Sequence, residues 1–296
     1  MDDYPRLMDI TVAVLVLTSA VIHPLRDFIA KGNEWRESFY LGIAAVWIVI
    51  TVPHALITSG TLVLPDAVWP MVVLSAFGLV LYYVGISICL NQGELSIYYP
   101  IIRSSPLFVA AANALLFGHL YNAVTIFGIT ITVIGAFAIQ HRRGTGLFDK
   151  PLMFALASMA MIGHGILTLA DATAMQIADP APFLFWTYCL VFVTQLVWFA
   201  GTKPKARTLT RHLWEGWRLA PGRIVLAGAI SYFSYILILL AFQRGGEAAA
   251  VTAIRQVSIP VSVILGALIL REGMFGKRFA WSFVLAAGVA VVLISG

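Results

Sequence analysis

Between residues 8 and 295 the sequence carries ten apolar runs, each near twenty residues long and parted by short polar breaks. A run of that length matches a helix that crosses the hydrocarbon core of a bilayer, about 20 residues at roughly 1.5 Å each. The runs predict spans at 8–29, 37–59, 67–90, 95–117, 121–140, 151–171, 181–200, 222–242, 248–270 and 277–295. They use up nearly all of the 296 residues and leave no stretch for a soluble domain. Composition agrees, with 60% hydrophobic and 11% charged residues, where a soluble domain has roughly 45–50% and about 25%. The expected fold class is an all-α integral membrane protein.

The 19 Lys and Arg exceed the 14 Asp and Glu, a formal charge of +5. Cationic residues concentrate in cytoplasmic loops, so their placement reports orientation. On the ten-span plan fourteen fall on one side, among them Lys31, Arg142, Arg143, Lys150, Lys203, Lys205 and Arg278. Arg6 and Arg244 fall on the other side, and Arg26, Arg103 and Arg255 fall inside spans. Both termini are therefore expected outside the cytoplasm. The two longest connections, 141–150 and 201–221, read as cytoplasmic hinge loops. No basic stripe is interleaved with aromatics in the manner of a nucleic-acid binder, so the expected surroundings are membrane lipid and no nucleic acid.

Cys89 and Cys189 sit inside apolar runs and predict neither a disulfide nor a metal ligand. The N-terminal run follows Asp2 and Asp3 instead of a positive leader and continues through His23, Arg26 and Asp27, so it is expected to stay as a span. The histidines at 23, 54, 119, 141, 164 and 212 lack metal-ligand spacing. No nucleophile elbow, phosphate loop or zinc-protease motif occurs, so no enzyme, cofactor or metal is expected.

The chain repeats itself. Gly93-Glu94 recurs as Gly246-Glu247, Tyr82 as Tyr235 and Gly135 as Gly288, each at a spacing of 153. Such a repeat holds five spans, an odd number, which turns the second copy upside down relative to the first. The expected organisation is two inverted five-helix repeats, 1–145 and 146–296, around a central cavity, the plan of secondary transporters.

Ionisable side chains inside spans cost about 2.5–3.5 kcal/mol at a helix centre and gather at cavities or partners. His23, Arg26 and Asp27 share one helix face beside Pro24, as a gate or binding wall or as the interfacial end of the first span. Arg103 lies deep in the fourth span, one turn after Tyr99, and Pro106 withholds an N–H from the carbonyl of Ile102. Arg255 mirrors it in the ninth span, flanked by Thr252, Gln256 and Ser258, with Pro260 freeing the carbonyl of Gln256. Both arginines line a cavity or form structural ion pairs. In the sixth span His164 and Asp171 share a face; Asp171 is a counter-charge for Arg103 or Arg255, a proton carrier, or a residue at the membrane edge. Glu94 and Glu247 each open a span, where a carboxylate complements the helix dipole. Trp47, Trp69, Trp186, Trp198 and Trp281 divide between interfacial anchors and cavity walls.

Gly93-Glu-Leu-Ser-Ile-Tyr-Tyr-Pro-Ile-Ile-Arg103 with Pro106 resembles the fourth-span motif of EamA-type members of the drug/metabolite transporter superfamily. Ala253-Ile-Arg-Gln-Val-Ser258, running on to Leu270-Arg-Glu272, resembles the ninth-span motif of that group. His23 with Lys31 is similar to its first-span motif, and Thr168 with Asp171 to its sixth. The sequence departs from the pattern at Arg26-Asp27, where the family often has Trp-Asn, at Gln256, where an acidic residue is frequent, and at Ala172 and Ala174, where glycines are. The resemblance implies a permease of the bacterial inner membrane, working by alternating access, often by efflux and with proton exchange, as a monomer or homodimer. It carries His23, Asp27, Arg103, Asp171 and Arg255 as cavity residues.

With Tyr82, Tyr99, Tyr235 and Gln256 as further binding residues, and Asp171, His164 and Arg26 as coupling or ion-pair groups, the expected substrate is a small zwitterionic or anionic metabolite. The alternative is a membrane-embedded enzyme or accessory subunit.

Overall fold

The computed structural model describes residues 8–30, 36–91, 98, 101–140, 150–202, 206–270 and 275–295. Among them every regular element is helical. In chain order these are α1 (Ile10–Ala30), α2 (Arg36–Thr58), α3 (Trp69–Asn91), α4 (Ser105–Phe117), α5 (Ala123–Gln140) and α6 (Pro151–Ala174). There follow α7 (Pro180–Thr202), α8 (Ala206–Leu219), α9 (Pro221–Gln243), α10 (Ala248–Ile254), α11 (Ser258–Leu270) and α12 (Phe275–Ser295). Short 3₁₀ turns cover Asp66–Val68 and Arg255–Val257.

Local chemistry sets several ends. Proline opens α6 and α9, where its missing N–H has no helical partner to lose. Gly118 ends α4 in the left-handed conformation, φ 68°, returning its N–H to the carbonyl of Ala114.

Six segments are long and apolar enough to cross a membrane: Ser38–Thr58, Asp66–Ile86, Pro151–Ala174, Pro180–Trp198, Pro221–Gln243 and Ala248–Leu265. Ile10–Arg26, Ser105–Phe117, Ala123–Ile139 and Phe279–Ser295 are shorter apolar helices. Large aliphatic side chains stand outward, Ile57 at 83% exposure and Leu115 at 85%. A surface of that kind is soluble only in lipid, and the protein is membrane-embedded.

Lipid tails offer no hydrophobic drive between helices, so close backbone approach and buried hydrogen bonds must hold the bundle. The main pairings are α1 with α9, α2 with α7, α3 with α6 and α5 with α12. Where α3 crosses α6, a Cβ on Gly78 would lie 2.5 Å from the carbonyl oxygen of Gly163, and one on Gly163 would lie 2.6 Å from that of Gly78. In the α5–α12 pair, Gly135 abuts the backbone of Leu285 and Gly288 that of Thr132. Residues 132 and 285 are 153 apart, as are 135 and 288, so the two contacts exchange under the sequence repeat. The α1–α9 pair is clasped by Ser19 and Ser234, each hydroxyl donating to the other residue's carbonyl, at 2.7 and 3.1 Å.

Two expectations are corrected. The segment 201–221 is no simple loop: α8 occupies most of it. Apolar residues at Leu209, Leu213 and Trp217 recur every four positions through a charged stretch, enough for an amphipathic helix. Ser38 of α2 anchors it, its hydroxyl donating to the carbonyl of Leu213 at 3.0 Å and accepting from the N–H of Gly216 at 3.1 Å. Residues 141–149 of the other expected hinge lie outside the described residues.

The fourth and ninth predicted spans, in turn, are broken rather than continuous. Residues 101–103 are helical, Ser104 turns with its N–H on the carbonyl of Ile101, and α4 starts afresh at Ser105. In the second half α10 stops at Ile254 and tightens through the 3₁₀ turn Arg255–Val257 before α11. Each break falls at an arginine and shortly before a proline that cannot complete the helical ladder.

Candidate functional site: a cationic cavity between the broken helices

Both breaks open onto one internal cavity. Its volume is about 70 Å³ as measured by the centre of a water-sized sphere, whereas one water needs only about 10–15 Å³ on that measure. It therefore holds several waters or a small solute. His23 and Arg26 of α1, Trp47 of α2, and Ser75, Leu79, Tyr82 and Tyr83 of α3 line it. Arg103 reaches it from the turn before α4, His164 and Leu167 from α6, and Leu184, Thr187 and Tyr188 from α7. Ser231 and Tyr235 of α9, Thr252 of α10, and Arg255 and Gln256 of the 3₁₀ turn complete the wall.

Eight of the residues singled out from sequence thus meet in one place: His23, Arg26, Tyr82, Arg103, His164, Tyr235, Arg255 and Gln256. Tyr99 lies outside the described residues, and so do the side chain of Asp27 and all of Glu94. Glu247 sits at the start of α10, where its carboxylate also meets His119 Nε2 at 3.2 Å.

The two breaks are tied together. Gln256 Nε2 donates to the carbonyl oxygen of Arg103 at 2.9 Å, so the second break supplies a donor to the backbone of the first. In hydrocarbon such a carbonyl needs a partner within the protein.

Asp171 stands behind the wall, fully buried. Ser75 Oγ donates to its Oδ1 at 2.6 Å, and the hydroxyl of Tyr235 donates to its Oδ2. Among the described residues it makes no direct ion pair with Arg103 or Arg255. The link to Arg255 runs through Tyr235 instead, whose ring centroid lies 5.4 Å from the guanidinium carbon. One tyrosine thus offers its π face to a cation and its hydroxyl to a carboxyl group.

Aromatic rings form the rest of the wall. Trp47 is 3% exposed, stacks on Tyr188 with centroids 4.0 Å apart, and donates its indole N–H to Ser231 Oγ at 2.9 Å. Of the two roles open to Trp47 it takes the cavity wall. Trp198, at 53% exposure, stands on the outside. The ring of Tyr82 lies 5.5 Å from that of His164. Thr187, Tyr188 and Ser231 were not singled out from sequence, whereas Thr252, named there beside Arg255, does line the cavity. Serine and threonine satisfy themselves on the preceding turn of any helix, so they carry little positional signal, and no ionisable neighbour marks Tyr188.

Among the buried polar atoms of the wall, His164 Nδ1, Thr187 Oγ1 and Gln256 Oε1 find no hydrogen-bond partner within the protein. Buried polar groups are nearly always paired, so these atoms are where water or a solute in the cavity can bond. Among the described residues no cluster of His, Cys, Asp or Glu is placed to hold a metal ion.

Lipid-facing helices around a cavity lined by both polar and aromatic side chains define a multi-pass membrane protein with a pocket inside its bundle. No protein-family model matches the sequence, and no curated protein matches it. The fold does recur among solved structures. One, described only as the crystal structure of a protein, superposes with a TM-score of 0.73 over 95% of this chain and 96% of its own, at 12% sequence identity. At that identity the likeness is one of fold alone.

Proposed function

We propose that the chain is a secondary transporter of the EamA type, within the drug/metabolite transporter superfamily, that moves a small zwitterionic or anionic metabolite by alternating access. One observation carries this reading. The cavity wall is drawn from both halves of the chain and is closed where two helices, broken at Arg103 and Arg255, meet. His23, Arg26, Tyr82 and Arg103 come from residues 1–145, and His164, Tyr235, Arg255 and Gln256 from 146–296. Secondary transporters build their substrate sites from discontinuous helices at the interface of inverted repeats.

Helix pairing supports the repeat. With α10 and α11 counted as one span and α8 left aside, the six long and four shorter apolar segments make ten spans. Exchanging the first five with the second five turns the α1–α9 pair into α6–α3 and returns α2–α7 and α5–α12 to themselves. Arg103 and Gln256 are 153 residues apart, so the bond between them joins equivalent positions of the two copies. The resemblance and the Lys/Arg bias add efflux with proton exchange across a bacterial inner membrane, both termini outside the cytoplasm.

The test is flux in proteoliposomes under an imposed pH gradient, with amino acids, amines, organic acids and phosphate esters as solutes. The proposal expects one class to move, faster with the gradient, and to stop in Arg103→Ala and Arg255→Ala proteins that remain folded. A solute chemically converted in detergent, with no gradient and no flux, contradicts it and points to a membrane enzyme.

A further inference from the structure

The helix α8 stands apart from the cavity, and its placement does not depend on the transport reading. It runs through Ala220 straight into α9, whose span opens at Pro221. Ser38, which holds Leu213 and Gly216, is itself the first residue of the span Ser38–Thr58. Two span ends thus fix the depth of α8. It lies where the helices leave the hydrocarbon, in the layer of the lipid headgroups.

The two sides of the helix differ. Gly216 is buried against Ser38, and Trp217 packs on the core, so the bundle already covers one face. Arg207, Arg211, Trp214 and Arg218 follow one another at intervals of four, three and four, the spacing of a single helix face. On that face Trp214 is 65% exposed, and Arg218 is exposed as well. Indole rings gather at headgroup depth, where the ring meets apolar matter and its N–H meets water.

Charge selects what lies against that face. Together with the first turns of α2 and α9, α8 carries five arginines, Arg36, Arg207, Arg211, Arg218 and Arg223, against two acids, Glu37 and Glu215. The sum is positive however these groups pair, and the sum is what draws in a charged surface. An acidic soluble protein would answer the charge but not the outward indole at the edge of the hydrocarbon. A leaflet that contains anionic lipid answers both.

We infer that α8 is a binding surface for anionic phospholipid, with the face of Arg207, Arg211, Trp214 and Arg218 laid among the headgroups.

The experiment is hydrogen exchange of the full-length protein in nanodiscs of phosphatidylcholine alone and of phosphatidylcholine mixed with phosphatidylglycerol. The amides of α8 exchange more slowly in the anionic discs, by about fivefold for each arginine that the membrane engages, and added salt removes most of the difference. Glutamine at 207, 211 and 218 together abolishes the difference, whereas lysine at the same three positions keeps most of it. Exchange in α2 and α9 stays the same in both variants, which separates loss of lipid binding from loss of fold. Equal exchange of α8 in the two kinds of disc overturns the inference, and that comparison needs only the unaltered protein. A glutamine variant that still tells the two lipids apart overturns it too. Glycerol phosphate added to phosphatidylcholine discs leaves α8 unchanged; if it protects as well as phosphatidylglycerol does, the surface is a site for small anions and not for lipid. None of these readouts involves solute flux, so the transporter reading stands or falls separately.

Discussion

Tyr235 donates its hydroxyl to the buried carboxylate of Asp171 while its ring lies beneath the guanidinium of Arg255. With Ser75 on the other oxygen, the acid is held by two hydroxyls supplied by α3 and α9. Tyr235→Phe keeps the ring and leaves one carboxylate oxygen without a donor, so we expect a loss of about 1–3 kcal/mol, the cost of an unsatisfied buried acceptor. In a double-mutant cycle with Asp171→Asn the two changes are expected to be non-additive by about 0.5–3 kcal/mol. Unfolding of the four proteins in one detergent checks this; strictly additive losses would mean that the pair is not coupled.

Crossing glycines fix the distance between α3 and α6. A Cβ at Gly163 meets the carbonyl of Gly78 and the side chain of Leu81 within 2.7 Å, and backbone of this kind cannot swing aside. Gly163→Ala is therefore expected to destabilise by about 1–3 kcal/mol, as overpacking does. Gly201→Ala is the control: nothing lies within 4 Å of its added carbon, and alanine favours helix over glycine by up to about 1 kcal/mol. Thermal unfolding in detergent compares the two, and equal melting temperatures would contradict the packing account.

One hydroxyl ties α8 to α2 at two points, beside the packing of Trp217 against the core. Ser38→Ala removes both the donor to Leu213 and the acceptor for Gly216, so the helix should loosen locally and leave the bundle intact. Hydrogen exchange of the amides from Leu213 to Leu219 is expected to quicken in the variant, with α2 and α9 unchanged. Unaltered exchange there would show that α8 is held by other contacts.

The helix boundaries were legible because twenty-residue apolar runs are long, repeated signals. The predicted 222–242 and 151–171 differ from α9 and α6 by three residues or fewer at either end. Buried charge was legible for the same reason: Arg103, Arg255 and His164 stand out against apolar neighbours, and all three line the cavity. The broken helices were half visible. Pro106 and Pro260 exposed the carbonyls they leave unpaired, but the tightening at Arg255–Val257, where the chain packs against α1 and the neighbouring helices, matches no local pattern. Tyr188 and Thr187 were hidden because a helix apolar on every side does not reveal which face looks inward. Asp171 was legible as a buried acid and not as a partner of hydroxyls, since Ser75 is 96 residues away in sequence.

The proposed alternating access makes the sharpest demand on this cavity, because under that reading it must face each side of the membrane in turn. Thr187 is 1% exposed, lines the cavity and has no hydrogen bond to lose, which suits it to carry a reporter thiol. In a protein with Cys89 and Cys189 replaced by alanine, Thr187→Cys should react with a membrane-impermeant thiol reagent added to right-side-out vesicles and, separately, to inverted ones. Reaction from both faces, slowed by the substrate, is the result the account predicts. A thiol reached from one face alone, however long the exposure, would contradict it.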